Sequence, residues 1–130
     1  MMRGASGLLQ SAAQSKLFEL RGANLNTTAD QAMQKVGTFT RFQITNIVSV
    51  GRGGNAGLAA GGIYNAPAKG GNAIVSAAQA WGALSAIDKV LTPALIALGD
   101  VQQASPWLSL TTAAGAAATA DLFVYGVVMD

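Results

Sequence analysis

The segment Leu122-Phe123-Val124-Tyr125-Gly126-Val127-Val128 constrains the fold more than any other stretch of the chain. Strand side chains alternate between faces, so Leu122, Val124 and Val128 share one face, and Phe123, Tyr125, Val127 and Met129 the other. The β-branched and aromatic content favours a strand over a helix. A strand apolar on both faces is covered on both, or lies between subunits. Trp107-Leu108-Ser109-Leu110-Thr111 precedes it as a second apolar strand. Between them, residues 112–120 are rich in alanine, which favours helix, but Gly115 and the flanking threonines oppose it. That stretch reads as a loop with at most one helical turn, and the two strands are expected to form a C-terminal hairpin.

Upstream, residues 16–21 alternate in character, with Lys16, Phe18 and Leu20 on one parity and Leu17, Glu19 and Arg21 on the other. An edge-like strand fits, its charges discouraging further strand addition. Residues 22–28 carry turn chemistry. Residues 30–36 suit either a helix capped by Thr27 or Thr28 or a strand, ending at Gly37. In residues 39–50, Phe42, Ile44, Val48 and Val50 are expected on a core face, with Arg41, Gln43, Thr45 and Ser49 opposite. Residues 51–57 read as a glycine-rich loop. A short strand over 62–66 ends at Pro67, a turn follows, and 73–76 return. Trp81, Leu84 and Ile87 are spaced for a helix, but Gly82 and the short length favour strand plus loop. Residues 88–98 are apolar and broken by Pro93, and Gly99-Asp100 is a turn. Seven to nine short strands between Gly, Pro and Asn turns predict an all-β fold. The expected architecture is an antiparallel, jelly-roll-like β-sandwich over residues 16–130, preceded by an extended N-terminal arm, residues 1–15.

Composition narrows the chemistry. Only 8 Lys and Arg and 6 Asp and Glu occur in 130 residues, far below the usual quarter of a chain. The basic residues are scattered, so no nucleic-acid partner is expected. A surface with so few charges is suited to an assembly. Cysteine and histidine are absent, which excludes disulfides, thiol chemistry, histidine acid–base catalysis and most zinc sites. Residues 51–56 match a G-x-G-x-x-A dinucleotide pattern after a strand. That fingerprint needs a helix next and an acid about 20 residues on. Residues 58–62 make a poor helix, and no acid lies between Asp30 and Asp88. No cofactor is therefore expected. Nothing singles out a carboxylate pair among Glu19, Asp30, Asp88, Asp100, Asp121 and Asp130, and no enzyme activity is expected. Trp81, Trp107 and Tyr64 are candidate sugar platforms, although lone tryptophans in apolar strands read first as core. The apolar centre Gly7-Leu8-Leu9 is too short for a signal peptide, and no run approaches the ~18–20 apolar residues of a membrane span. Neither secretion nor a membrane is expected.

Three stretches taken together carry a family resemblance. They are residues 20–30; residues 59–64 followed by 69–75; and residues 108–121. In this order they resemble small virion proteins of tailed bacteriophages, similar to capsid cement or decoration proteins with jelly-roll-like folds. The resemblance covers roughly residues 17–128. It implies a protein folded in the bacterial host cytoplasm that sits on the capsid exterior and clamps neighbouring subunits of the major capsid protein. The alternative is a tail- or fibre-associated adhesive module that binds host-surface sugar. Neither reading calls for a small-molecule substrate of an enzyme. Candidate contact residues are Arg3, Leu8, Leu9 and Lys16 in and beside the arm, and Arg52 and Lys69 in loops. Phe123, Tyr125 and Val127 are expected in the interface of a homodimer or homotrimer.

Overall fold

The computed structural model describes residues 14–130. Ten strands follow one another: β1 (Ser15–Asn24), β2 (Gln31–Ala32), β3 (Gln34–Lys35), β4 (Phe42–Gly54), β5 (Ala60–Tyr64), β6 (Ala73–Val75), β7 (Val90–Leu91), β8 (Val101–Gln102), β9 (Trp107–Thr112) and β10 (Ala118–Val128). No helix occurs among the described residues. The strands form two antiparallel sheets. The six-stranded sheet runs β3-β1-β10-β4-β7, with β8 beside β7 on the same edge of β4, and the four-stranded sheet runs β2-β9-β5-β6. The sheets pack as a β-sandwich over one apolar core that includes Phe18, Phe42, Ile47, Leu122 and Val124 from one layer and Ile63, Leu108 and Leu110 from the other.

β10 is the spine of the larger sheet, flanked over most of its length by β1 and β4. Its alternation is as the sequence predicts through Val127, but Val128, expected with Leu122 and Val124, is exposed at the strand's end. Leu122 and Val124 are wholly buried, while Phe123, Tyr125 and Val127 are half-buried on the outer face. Its neighbours depart from strict alternation because each carries an irregularity. In β1 the register against β10 shifts between Lys16 and Phe18, and Leu17 and Phe18 are both buried. In β4 it shifts where Ile44 pairs Gly126 and Asn46 pairs Tyr125. One extra residue reverses the faces beyond it. Ile47 and Ser49 are therefore buried and Val48 and Val50 lie half-exposed, the reverse of the expected pattern. The buried Ser49 hydroxyl donates to the Leu91 carbonyl at 2.7 Å.

Three other expectations are corrected. Residues 51–54 are not a loop; they complete β4, pairing with Ala118, Thr119 and Ala120. Glycine suits Gly51 because a Cβ there would overlap the Ala86 carbonyl oxygen, so the requirement is close backbone approach rather than a turn. Second, β9 and β10 do not form a hairpin. They belong to opposite sheets, and residues 113–117 cross between the layers. Leu25 ties this crossing: its carbonyl accepts from Ala114 N and its own N–H donates to the Ala118 carbonyl, both at 2.9 Å. Apolar alternation marks a strand's inner face but not its neighbour. Third, residues 77–88 contain no named strand. They form turns around Trp81, which is wholly buried and donates its indole N–H to the Gly61 carbonyl at 3.0 Å.

The ambiguous stretch 30–36 forms two short strands in different sheets, β2 beside β9 and β3 beside β1, with Met33 buried between them. The Gln31 amide accepts from Asn24 N (2.8 Å) and donates to Asn24 O (2.9 Å), occupying part of the β1 edge as a strand would. Across the molecule, β7 and β8 lie along β4. Between them the chain leaves to meet the smaller sheet, where Leu95 bridges Val75 and Ile96 N donates to the Ile74 carbonyl at 2.9 Å. Residues 90–102 thereby close one side of the sandwich. β1 begins at Ser15, the last residue of the expected arm.

Candidate interaction surface

The outer face of the six-stranded sheet gathers most of the described residues expected at an interface. Arg3, Leu8 and Leu9 lie outside the described residues. Lys16, Arg52, Phe123, Tyr125 and Val127 all lie on this face, because Lys16 pairs with Tyr125, Val48 with Phe123, and Gln43 with Val127 in the ladders of β10. Arg52 is a strand residue of β4 rather than a loop residue.

Charged groups on this face are largely satisfied by one another. Lys16 Nζ lies 3.0 Å from Glu19 Oε1 and 5.2 Å from the centre of the Phe123 ring. Arg21 flanks the same ring at 5.1 Å and donates from Nε to Glu19 at 3.3 Å. Arg52 Nε donates to Asp121 Oδ2 at 2.8 Å, and Asp121 Oδ1 accepts from Gly22 N at 2.8 Å. Burial pushes the Asp121 carboxyl up, but the hydrogen bonds from Arg52 and Gly22 outweigh it, and the net shift is downward. The Glu19 carboxyl is likewise held down, chiefly by its hydrogen bond from Lys16. Three cations and the three acids Glu19, Asp88 and Asp121 form the network, so it offers no excess charge to a polyanion.

An apolar border adjoins this face, and the sequence reading misses it. Nine large apolar side chains are exposed among the described residues, and five of them, Ile87, Val90, Ile96, Leu98 and Val101, fall within one short segment. Val90 pairs with Val50 and Val101 with Gln43, so these two continue the half-buried row of Val48, Val50, Phe123, Tyr125 and Val127, while Ile96 and Leu98 lie in the segment between them that meets the smaller sheet at Ile74. Patches of this kind mark surfaces that meet another macromolecule. Its sequence signal is an apolar run broken by Pro93, which reads equally well as a buried strand.

No protein-family model matches the chain, and neither a curated protein nor a solved structure does.

Lys69 lies elsewhere, against the smaller sheet. Its Nζ donates to Ser109 Oγ at 2.9 Å, and Ser109 Oγ donates to Asp30 Oδ1 at 2.7 Å. A hydroxyl between a cation and a carboxylate invites comparison with a nucleophile. The geometry opposes that reading: Ser109 is wholly buried, and its oxygen carries a hydrogen bond from an ammonium. The Asp30 carboxyl is held low by Ser109 and by the Ala68 N–H, which makes it a weak base. The cluster is a structural tie. A shallow depression lined by Gly53, Gly54, Ala117, Ala118 and Thr119 presents backbone, methyl groups and one hydroxyl. Among the described residues, no three histidines, cysteines or acids group to hold a metal, and no helix is long and apolar enough to cross a membrane.

The sugar-platform residues fare unequally. Trp81 is wholly buried and Tyr64 is 7% exposed, so neither presents a ring face to a sugar. Trp107 is half-buried.

Proposed function

We propose that the protein is a virion structural protein that binds the outside of a tailed-phage capsid and cements contacts between neighbouring major capsid subunits. One observation carries the reading: the exposed apolar side chains Ile87, Val90, Ile96, Leu98 and Val101, with Val90 and Val101 on the strands β7 and β8 and the other three in the turns around them, beside a charge-balanced sheet face. The family resemblance supplies the identity of the partner. The border is the surface assigned to the capsid. Phe123, Tyr125 and Val127, half-buried on the adjoining face, are assigned to contact between copies in a homodimer or homotrimer. Binding only to the assembled shell stabilises that shell by linkage. Many copies on one shell make a modest single contact sufficient. Burial of Trp81 and Tyr64 leaves the adhesive alternative with little platform, so cementing is preferred.

Heads stripped of the protein should rupture at a lower temperature than decorated heads, and adding the purified protein back should restore the difference. Equal rupture temperatures with and without it would remove the cementing role.

A further inference from the structure

The tip of the β5–β6 hairpin holds an unfavourable backbone. Among the described residues three non-glycine residues have positive φ, and two of them are neighbours here, Ala68 (φ 59) and Lys69 (φ 57). Gly70 N donates to the Pro67 carbonyl at 3.1 Å and closes a four-residue turn around them. Positive φ at both central positions is the sign pattern of a type I′ turn, which favours Asn-Gly or Gly-Gly and disfavours alanine and lysine. Glycines stand immediately downstream at Gly70 and Gly71. Gly71 already has φ 62, so the turn is out of step with Gly70, which would relieve it.

Distant groups hold it there. Ala68 N donates to Asp30 Oδ2 at 2.6 Å, Lys69 Nζ to Ser109 Oγ at 2.9 Å, and Ser109 Oγ to Asp30 Oδ1 at 2.7 Å. Asp30 precedes β2 and Ser109 lies within β9, so the cluster ties the hairpin tip across the sheet to its opposite edge. We infer that Asp30, Ser109 and Lys69 form a latch that holds the hairpin tip in a strained turn and keeps the Lys69 ammonium tied to Ser109. Opening the latch relaxes the turn by passing positive φ to Gly70, since Gly71 already has φ 62, and frees the ammonium of the exposed Lys69 from Ser109 to pair with an acidic partner. Such an element has two discrete arrangements, one favoured by side-chain ties and the other by the backbone. The inference is independent of the capsid reading.

The Asp30 carboxyl is held below its ordinary range, first by Ser109, then by the Ala68 N–H, with Lys69 as the charged group facing it. A lowered carboxyl favours the closed state above the ordinary aspartate range and ceases to do so as pH falls through the lowered value. The latch is therefore closed at neutral pH and opens in acid or by substitution.

Amide hydrogen exchange reads the two states directly. In Asp30→Ala, amides of residues 66–72 should exchange at least tenfold faster than in the parent, while those of Leu122 and Val124 keep their protection. Ser109→Ala removes the bridging hydroxyl without touching the carboxylate, and should loosen the same amides even if Asp30→Ala folds poorly. Ala68→Gly should raise the unfolding midpoint by relieving strain. Unchanged exchange over 66–72 in the substituted proteins, or a lower midpoint for Ala68→Gly, would overturn the latch.

Discussion

Replacing Trp81 by alanine is expected to lower the unfolding free energy by about 3–5 kcal/mol, the usual cost of deleting a large buried aromatic side chain. That is a large share of a stability on the order of 5–15 kcal/mol. The reason is local as well as volumetric. Residues 77–88 have no named strand to hold them, and Trp81 anchors that segment through its wholly buried ring. Its N–H donates to the Ala59 carbonyl at 2.9 Å and its indole to the Gly61 carbonyl at 3.0 Å. Trp81→Phe should fall between alanine and the parent, because it refills volume but leaves the Gly61 carbonyl without its partner. Equilibrium urea unfolding measures both. A loss below about 1 kcal/mol for Trp81→Ala would mean that the segment does not depend on its anchor.

Gly126→Ala should be comparably damaging for a different reason. Gly126 sits in the central strand β10, opposite Ile44 at the irregular step of the ladder. An added Cβ would overlap the Gln43 carbonyl oxygen and lie 2.7 Å from Leu17 Cδ1. A backbone oxygen cannot rotate away, so the ladder itself must shift, at an expected cost of about 3 kcal/mol, the upper end of the range for overpacking. Gly53→Ala is the matched control. Like Gly126 it lies in a paired strand without positive φ, and the new Cβ meets only Thr119 Oγ1 at 3.5 Å, an ordinary contact. If the two variants unfold at the same urea concentration, overlap at Gly126 is not the constraint.

Gly126 also shows where the sequence is legible and where it is not. The β10 pattern announces a strand with Leu122 and Val124 inside, and the structure has both wholly buried. β6 and β9 are likewise visible as runs bounded by turn residues, and β1, β4 and β5 are visible in part: β1 runs on through Gly22 to Asn24 and β4 through Gly51 to Gly54, where the sequence reads as turn and loop, and β5 starts at Ala60, two residues early. The faces of β4 are not, because an irregularity in the ladder changes no residue type. It leaves Phe42 and Ile44 in phase with the expected core and throws Val48 and Val50 out of it. Sheet membership is illegible for a related reason. Trp107-to-Thr112 and Ala118-to-Val128 each carry an apolar face, but that pattern is the same whether two strands share a sheet or oppose one another across the core. The glycines at 51–54 read as flexible punctuation, whereas close packing of β4 against its neighbours is what glycine serves at Gly51.

The candidate surface divides in the same way. Phe123, Tyr125 and Val127 are readable because β10 is apolar on the side that its inner face does not use. The border from Ile87 to Val101 is not, since exposed and buried isoleucine are identical in sequence. Only the bridge from Leu95 to Val75 and the pairing of β7 and β8 with β4 fix which side chains remain outside. Lys69 reads as a free loop cation, and its bond to Ser109 depends on a residue 40 positions away.

Binding of the purified protein to undecorated phage heads tests the central claim most directly, with Ile96→Lys and Leu98→Lys compared against the parent. Ile96 is 60% exposed and Leu98 66%, so lysine at either position leaves the core untouched. Thr112→Lys, exposed at the end of β9 in the other sheet, serves as the control. The account predicts saturable binding by the parent and by Thr112→Lys, and a dissociation constant raised at least tenfold by each border substitution. Absence of binding by the parent, or equal affinity across all four proteins, would contradict it.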